Sequence, residues 1–388
     1  MQKYQSSWNG TGTRPLLSGM TIPELEKALT GIPGGIPYRA RQIFSRISGG
    51  AASFEEMTNL PVPLRRELAK QFNIRGLTVM EKQEDRDGTV KLRLGLAGGT
   101  AVETVLLSSG PGERLTACLS TQAGCPIACV FCKTGNIGFV RNLEAGEIVE
   151  QVLILSDLVR NRNKRISHIV VMGMGEPLLN LPALRRALEI LCDPRGCGFS
   201  KRKITVSTSG IYQPILDMAE NGPRAELALS ITTAREELRR RLMPGSAKNP
   251  LDQIKAALKV YQEKQKRRIT LETVLLGGIN TTEADARALA DFARGLHTLV
   301  NLIPWNPVTE LRFDNKPLQK PPAEETGRFR RMLEDRGLEV SIRYRRGRGI
   351  CGACGQLGMA PAQGPDAAVA ALPSLSYKST TDSGSQPR

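Results

Sequence analysis

From about residue 115 the chain alternates short apolar runs with helix-like stretches, and nothing else in it narrows the possible folds as far. Strands are expected over 115–120, 166–172, 204–207, 227–231, 269–275 and 299–303. Helices are expected between them, over 143–159, 183–191, 212–219, 252–261 and 284–296. A strand that crosses through a helix to a parallel neighbour does so right-handedly, so the repeat specifies a parallel sheet. Six such units are too few for a closed eight-unit barrel. The expected fold is therefore α/β, an open partial (β/α)6 barrel, with its chemistry on the loops at the C-terminal strand ends.

Ahead of the barrel the hydrophobic period changes twice. Thr21 reads as an N-cap before Leu25 and Leu29, and further short helices with basic faces follow over 37–47 and 63–71. They define a small helical domain over 1–75, with a loosely ordered start over 1–20. Alternating strands near Leu77, Val90 and Val102, with turns at Asp87-Gly88 and Gly98-Gly99, define a short antiparallel β linker over 76–110. The barrel and a cysteine-bearing C-terminal segment then fill 111–359. From 360 to 388 the sequence turns to Ala, Pro, Gly, Ser and Thr, the composition of a disordered tail.

The loop after the first barrel strand holds Cys125, Cys129 and Cys132, spaced C-x3-C-x2-C. Three thiolates this close suit an iron–sulfur cluster, leaving one iron without a protein ligand. A zinc ion borrowing a distant fourth ligand is the alternative. Small polar residues recur at the other strand ends: Gly175 and Glu176, Ser207, Ser230 to Thr232, and Asn306. Together they can line a pocket for a polar, adenosine-like ligand, and Glu176 can pair with an ammonium group.

Eight cysteines in two clusters fit a reducing cytoplasm better than a disulfide framework. No apolar run is long enough to span a membrane, and no secretory signal begins the chain. The net charge of +16 is spread along the sequence, which points to nucleic acid as a partner. Basic clusters at 201–203, 239–241, 264–268 and 343–348 are candidate phosphate contacts.

The cysteine triple with Phe131 before its last member, and the Gly175-Glu176-Pro177 turn, resemble the radical S-adenosylmethionine (SAM) superfamily. Cys118 to Cys125, Gly138 to Leu143, Asn301 to Pro307 and Ala353 to Leu357 narrow the resemblance to the RlmN/Cfr family. Those enzymes are radical methyltransferases that methylate an adenine ring carbon in 23S ribosomal RNA. The resemblance implies that Cys125, Cys129 and Cys132 hold a 4Fe-4S cluster whose open iron chelates SAM. Gly175, Glu176, Ser207, Ser230, Ile231, Thr232 and Asn306 match cofactor-binding positions. Cys354 matches the methyl-carrying cysteine, Cys118 the one that resolves the RNA adduct, and Glu103 the proton acceptor.

By that resemblance one SAM methylates Cys354 and a second yields a 5′-deoxyadenosyl radical. The radical takes a hydrogen atom from the methylated cysteine, whose carbon then adds to the ring. Cys118 afterwards releases the product as a disulfide forms. The implied substrate is adenine C2 of 23S rRNA, with tRNA as a second substrate. A C8-methylating resistance enzyme of the Cfr type is the nearest alternative, and a metal-stabilised, non-catalytic RNA-binding assembly factor the alternative of another class. A monomer, served by a flavodoxin or ferredoxin, is expected. The chain departs from the family in having Cys351 where an acid is usual, Thr232 where histidine is common, and a more basic 343–350 segment.

Overall fold

The computed structural model describes residues 14–108, 114–160, 164–343 and 346–358. The tail over 360–388, and Tyr344 and Arg345 of the basic segment, lie outside the described residues.

Three helices open the fold: α1 (Ile22–Ala28), α2 (Pro37–Ser48) and α3 (Val62–Gln71). The Glu24 carboxylate reaches back to accept from the Thr21 N–H at 2.9 Å and its hydroxyl at 2.8 Å, which starts α1 where the sequence places it. Of the stretch over 1–20 expected to be loose, 1–13 lie outside the described residues, and the part just before α1 is tied down. Leu17 and Ser18 are buried, and Ser18 Oγ donates to Glu150 at 2.8 Å. The same carboxylate accepts from the N–H groups of Gly76 and Leu77, so one buried glutamate knits the helical region to the barrel.

Strands β1 (Thr78–Glu84), β2 (Val90–Gly95) and β3 (Ala101–Ser108) form an antiparallel meander. The barrel strands are β4 (Leu115–Cys118), β7 (Ile166–Val171), β8 (Ile204–Thr208), β9 (Glu226–Ser230), β10 (Ile269–Leu275) and β11 (Thr298–Pro304). Between β4 and β7 lie β5 (Gln122–Gly124), α4 (Lys133–Asn136), β6 (Phe139–Asn142) and α5 (Ala145–Arg160). The later crossovers carry α6 (Leu181–Cys192), α7 (Tyr212–Asn221), α8 (Glu236–Leu242), α9 (Leu251–Gln265) and α10 (Glu283–Ala293). After β11 come a small hairpin of β12 (Arg312–Phe313) and β13 (Lys316–Pro317), then α11 (Ala323–Glu334) and β14 (Val340–Ile342).

The sheet runs β1-β2-β3-β4-β7-β8-β9-β10-β11-β14. All pairings from β4 to β14 are parallel, and β3 pairs antiparallel with β4, Val105 opposite Cys118. The meander therefore continues the barrel's own sheet. An unexpected seventh parallel strand, β14, covers β11 and brings the C-terminal segment back to the end where β4 finishes. The barrel strands bury one face fully, with Ile169, Val206, Leu229, Leu271 and Val300 inaccessible, while Val170, Thr205 and Ser207 on the other face are half-buried and line cavities. No helix among the described residues is long and apolar enough to cross a membrane.

Candidate active site

The three cysteines of the C-x3-C-x2-C run sit on the loop between β5 and β6, whose antiparallel pairing closes it at the base. Gly124 ends β5 with φ +79°, and a Cβ there would stand 1.8 Å from the Gly138 carbonyl oxygen. Only glycine lets the two arms of the hairpin approach this closely. Within the loop the Asn136 amide donates to the carbonyls of Cys129 at 3.2 Å and Cys132 at 2.8 Å. All three thiols are half-buried. Burial pushes each above the usual thiol range, Cys125 to about 12, and for Cys125 and Cys129 the neighbouring cysteines add to the effect. Thiols in this setting ionise only with a cation at hand, as an iron–sulfur cluster provides. Among the described residues no three such side chains are drawn together tightly enough for a single metal ion. A cube does not ask for that, because each thiolate takes its own iron.

The thiols open onto a cavity of about 170 Å³ lined by Gly175, Glu176, Ser207, Ser230, Thr232 and Asn306. Ile231 does not join them. Its N–H donates to the carbonyls of Leu229 and Glu272, and its side chain is fully buried. Gly175, at φ +104°, leaves no room for a Cβ, which would meet Gln122 Cβ at 2.5 Å. Glu176 is 3% exposed, and burial raises its pKa although its carboxylate accepts three hydrogen bonds. These come from Leu178 N–H at 3.1 Å, the Thr208 hydroxyl at 2.7 Å and Ser209 N–H at 2.7 Å. Ser207 and Ser230 share a hydroxyl–hydroxyl hydrogen bond of 2.9 Å. Thr232 sits at φ +58° and its buried hydroxyl has no hydrogen-bond partner among the described residues. An orphaned hydroxyl costs about 1–3 kcal/mol, which a polar ligand in this cavity would recover. The donor set and the orphaned oxygen both fit a cluster with a bound adenosyl amino acid.

Replacing Glu176 by Gln turns an amide N–H2 toward donors that now meet a carboxylate. A Glu176→Gln variant is expected to bind SAM about 10- to 100-fold more weakly while still holding iron, measured by equilibrium dialysis against iron content.

A second cavity, of about 400 Å³, abuts the first. Met172, Ile303, Asn306, Arg343 and Cys354 line both. Cys118 and four basic side chains, Arg114, His168, Lys203 and Arg346, line the second alone. Burial and then the charges of Arg114 and Lys203 lower the His168 pKa, so the imidazole is a neutral partner among cations. Cys118 is buried, which pushes its pKa to about 12, and the adjacent Cys354 adds to the rise. Arg343 lies beside both sulfurs and Glu272, and the charge of Cys354 is the largest influence holding its own pKa up.

The segment bearing Cys354 is laced to the cysteine loop. Gly355 O accepts from Lys133 N–H at 2.8 Å, and Leu357 O from the Thr134 hydroxyl at 2.5 Å. Asn306 Nδ2 donates to Cys354 O at 3.0 Å. Glu103, on β3, lines neither cavity. Its carboxylate faces Lys91 Nζ at 3.3 Å and accepts from Gly358 N–H at 2.7 Å, so it grips the end of the same segment. Cys351 is exposed, and Cys192 and Cys197 are half-buried away from both cavities.

Two basic residues expected to meet phosphate are turned inward. Arg239 is 1% exposed and donates to Ser246 Oγ at 2.8 Å and to the Ser209 carbonyl, while Arg343 belongs to the cavity wall. Lys264, Arg267 and Arg268 are paired with Glu220, Glu226 and Glu339. The sequence marked Arg343 only as one of a basic run and offered no signal for His168, since their cavity neighbours come from distant strands.

The radical SAM superfamily profile matches residues 119–293. The chain is 47% identical over 348 residues to the "probable dual-specificity RNA methyltransferase RlmN" of Treponema denticola, covering 89% of this chain and 96% of that one. It is 42% identical to the dual-specificity RNA methyltransferase RlmN of Lawsonia intracellularis, covering 88% and 96%. A crystal structure of a radical SAM methyltransferase from Sphaerobacter thermophilus superposes with a TM-score of 0.83 at 38% identity, covering 88% of this chain and 99% of that one. A thiol triple beside a polar cavity, matched nearly end to end by these relatives, leaves one conclusion: the chain belongs to the RlmN family of radical SAM RNA methyltransferases, which use a 4Fe-4S cluster and SAM.

Proposed function

We propose that the protein methylates C2 of an adenosine in 23S rRNA, and of an adenosine in tRNA, through a methylated Cys354. The observation that carries this reading is the place of Cys354 on the wall common to both cavities. On one side are Cys125, Cys129 and Cys132, the proposed cluster ligands, with Gly175, Glu176, Ser207, Ser230, Thr232 and Asn306 around SAM. Ile231 contributes by holding the turn between Ser230 and Thr232. On the other side, Cys118 and the basic lining face the base and its phosphates. Bound there, cluster and SAM supply a transferable methyl group and, after one-electron reduction, a carbon radical able to take a hydrogen atom.

Cys354 accepts the methyl group by displacement, with Arg343 as counter-charge to its thiolate. The methylated side chain gives up a hydrogen atom and its carbon joins the adenine ring, which has left its stack to reach the cavity. As the unpaired electron of the ring adduct passes back to the one-electron couple that supplied it, Glu103 takes the ring proton. Because its carboxylate holds Gly358 N–H, that step requires the carrier segment to shift first. The Cys118 thiolate then attacks the Cys354 sulfur; the sulfur–carbon bond breaks, the released carbon takes up a proton to become the methyl group of the base, and a disulfide remains. The protein is read as a cytoplasmic monomer that draws electrons from a flavodoxin or ferredoxin.

Nucleoside mass spectrometry of rRNA and tRNA from cells with and without the gene tests the reading. Loss of 2-methyladenosine is expected. Loss of 8-methyladenosine would move the protein to the Cfr type, and no change in either would defeat both. Within the second cavity, Lys203→Ala is expected to weaken RNA binding several-fold and to lower the slope of log affinity against log salt by about one, read from filter binding across salt concentrations.

A further inference from the structure

We infer that Cys351 is the resolving thiol for the Cys118–Cys354 disulfide, moving the oxidation from the buried cavity to an exposed Cys351–Cys354 pair. The inference rests on the proposed carrier mechanism and adds a step that mechanism needs, since each turnover leaves two sulfurs oxidised. Cys118 is buried at the end of β4 and Cys354 half-buried between the cavities, so an external reductant has poor access to their bond. Cys351 is exposed, whereas the other seven cysteines are buried or half-buried. It stands three residues before Cys354 in Cys351-Gly352-Ala353-Cys354, the C-x2-C spacing of dithiol redox pairs.

The local backbone suits an exchange. Cys351 caps a short 3-10 turn (Arg348–Ile350) in the left-handed region, at φ +48° and ψ +41°. A non-glycine residue held there carries local backbone strain, which a rearrangement of the segment would relieve. One side of the loop is anchored on the β1–β2 turn, where Asp87 accepts from Gly347 N–H and Asp85 from Gly349 N–H, both at 2.9 Å. The other side is held by Asn306 on Cys354 O. Three residues span at most roughly 10 Å, against the ~4.4–6.8 Å between Cα atoms that a disulfide requires, so a local tightening of Gly352 and Ala353 suffices.

The Cys351 thiolate attacks Cys354 Sγ, the Cys118–Cys354 bond breaks, and a Cys351–Cys354 bond forms. Cys118 leaves as a thiolate beside the Arg343 guanidinium and then takes a proton. A small external dithiol of the thioredoxin class supplies two electrons and two protons to the exposed pair, becoming a disulfide itself.

The test uses the full-length, cluster-loaded protein, with disulfides mapped by alkylation and peptide mass spectrometry. After turnover, wild type should contain both Cys118–Cys354 and Cys351–Cys354 peptides. Cys351→Ser, with unchanged iron content, should contain only the first, and reduced thioredoxin should clear it roughly tenfold more slowly than in wild type. In Cys118→Ala, gentle oxidation should still produce the Cys351–Cys354 link, a readout independent of methylation. Clearance at the wild-type rate in Cys351→Ser, or no such link in Cys118→Ala, overturns the inference while leaving Cys354 as carrier. Absence of any Cys118–Cys354 peptide after turnover of wild type overturns the carrier mechanism and this inference with it.

Discussion

A Cys354→Ala variant is expected to keep its iron and its SAM binding while losing RNA methylation by a factor of about a thousand or more. The contacts that hold the segment are made by backbone atoms and neighbouring residues: Cys354 O with Asn306, Gly355 O with Lys133, and Leu357 O with Thr134. Removing one sulfur leaves them in place, so the cavity walls should stand. What disappears is the one thiol that the described residues place on the wall common to both cavities, without which no methyl group crosses from cofactor to base. Iron per chain, SAM binding and methyl incorporation into RNA separate the two effects. Retained methylation would transfer the carrier role to Cys351, the other thiol of the segment.

The second large effect is expected from Gly124→Ala. The new Cβ would lie 1.8 Å from a backbone carbonyl oxygen, at a φ of +79° that side chains rarely adopt. No side chain can swing away to relieve the overlap, so the two arms of the hairpin must part. The combined cost is roughly 3 kcal/mol or more, and it falls on the base of the cysteine loop. Iron content should drop several-fold and the thermal midpoint should fall by several degrees. Gly98→Ala is the control: φ is +86°, but nothing lies within 4 Å of the added carbon. It should cost about 1 kcal/mol and leave iron untouched.

Where the sequence was silent, the reason is tertiary pairing or a turn of one side chain. The short β14, Val340–Ile342, has too few apolar residues to announce itself and becomes a strand because β11 offers a parallel edge. The helix α8 hides within Arg239-Arg240-Arg241, read as one charged cluster, although Arg239 points inward to hold Ser246 and Ser209. Glu103 was legible as an important acid, but its grip on Gly358 spans the whole barrel domain in sequence and only folding reveals it.

The sequence specified the parallel α/β core, because short apolar runs alternate with amphipathic helical stretches and such crossovers build a parallel sheet. It also determined the cysteine triple, because a cluster's ligand spacing is local, and the strand-end Gly, Glu, Ser and Asn that follow from it. Folding alone settles that the antiparallel meander continues the barrel's sheet and that Arg343 belongs to the cavity wall and not to the surface. It alone set Cys354 between the two cavities. Those relations join residues far apart in the chain, and no local periodicity encodes which of them a folded sheet will bring to the same end.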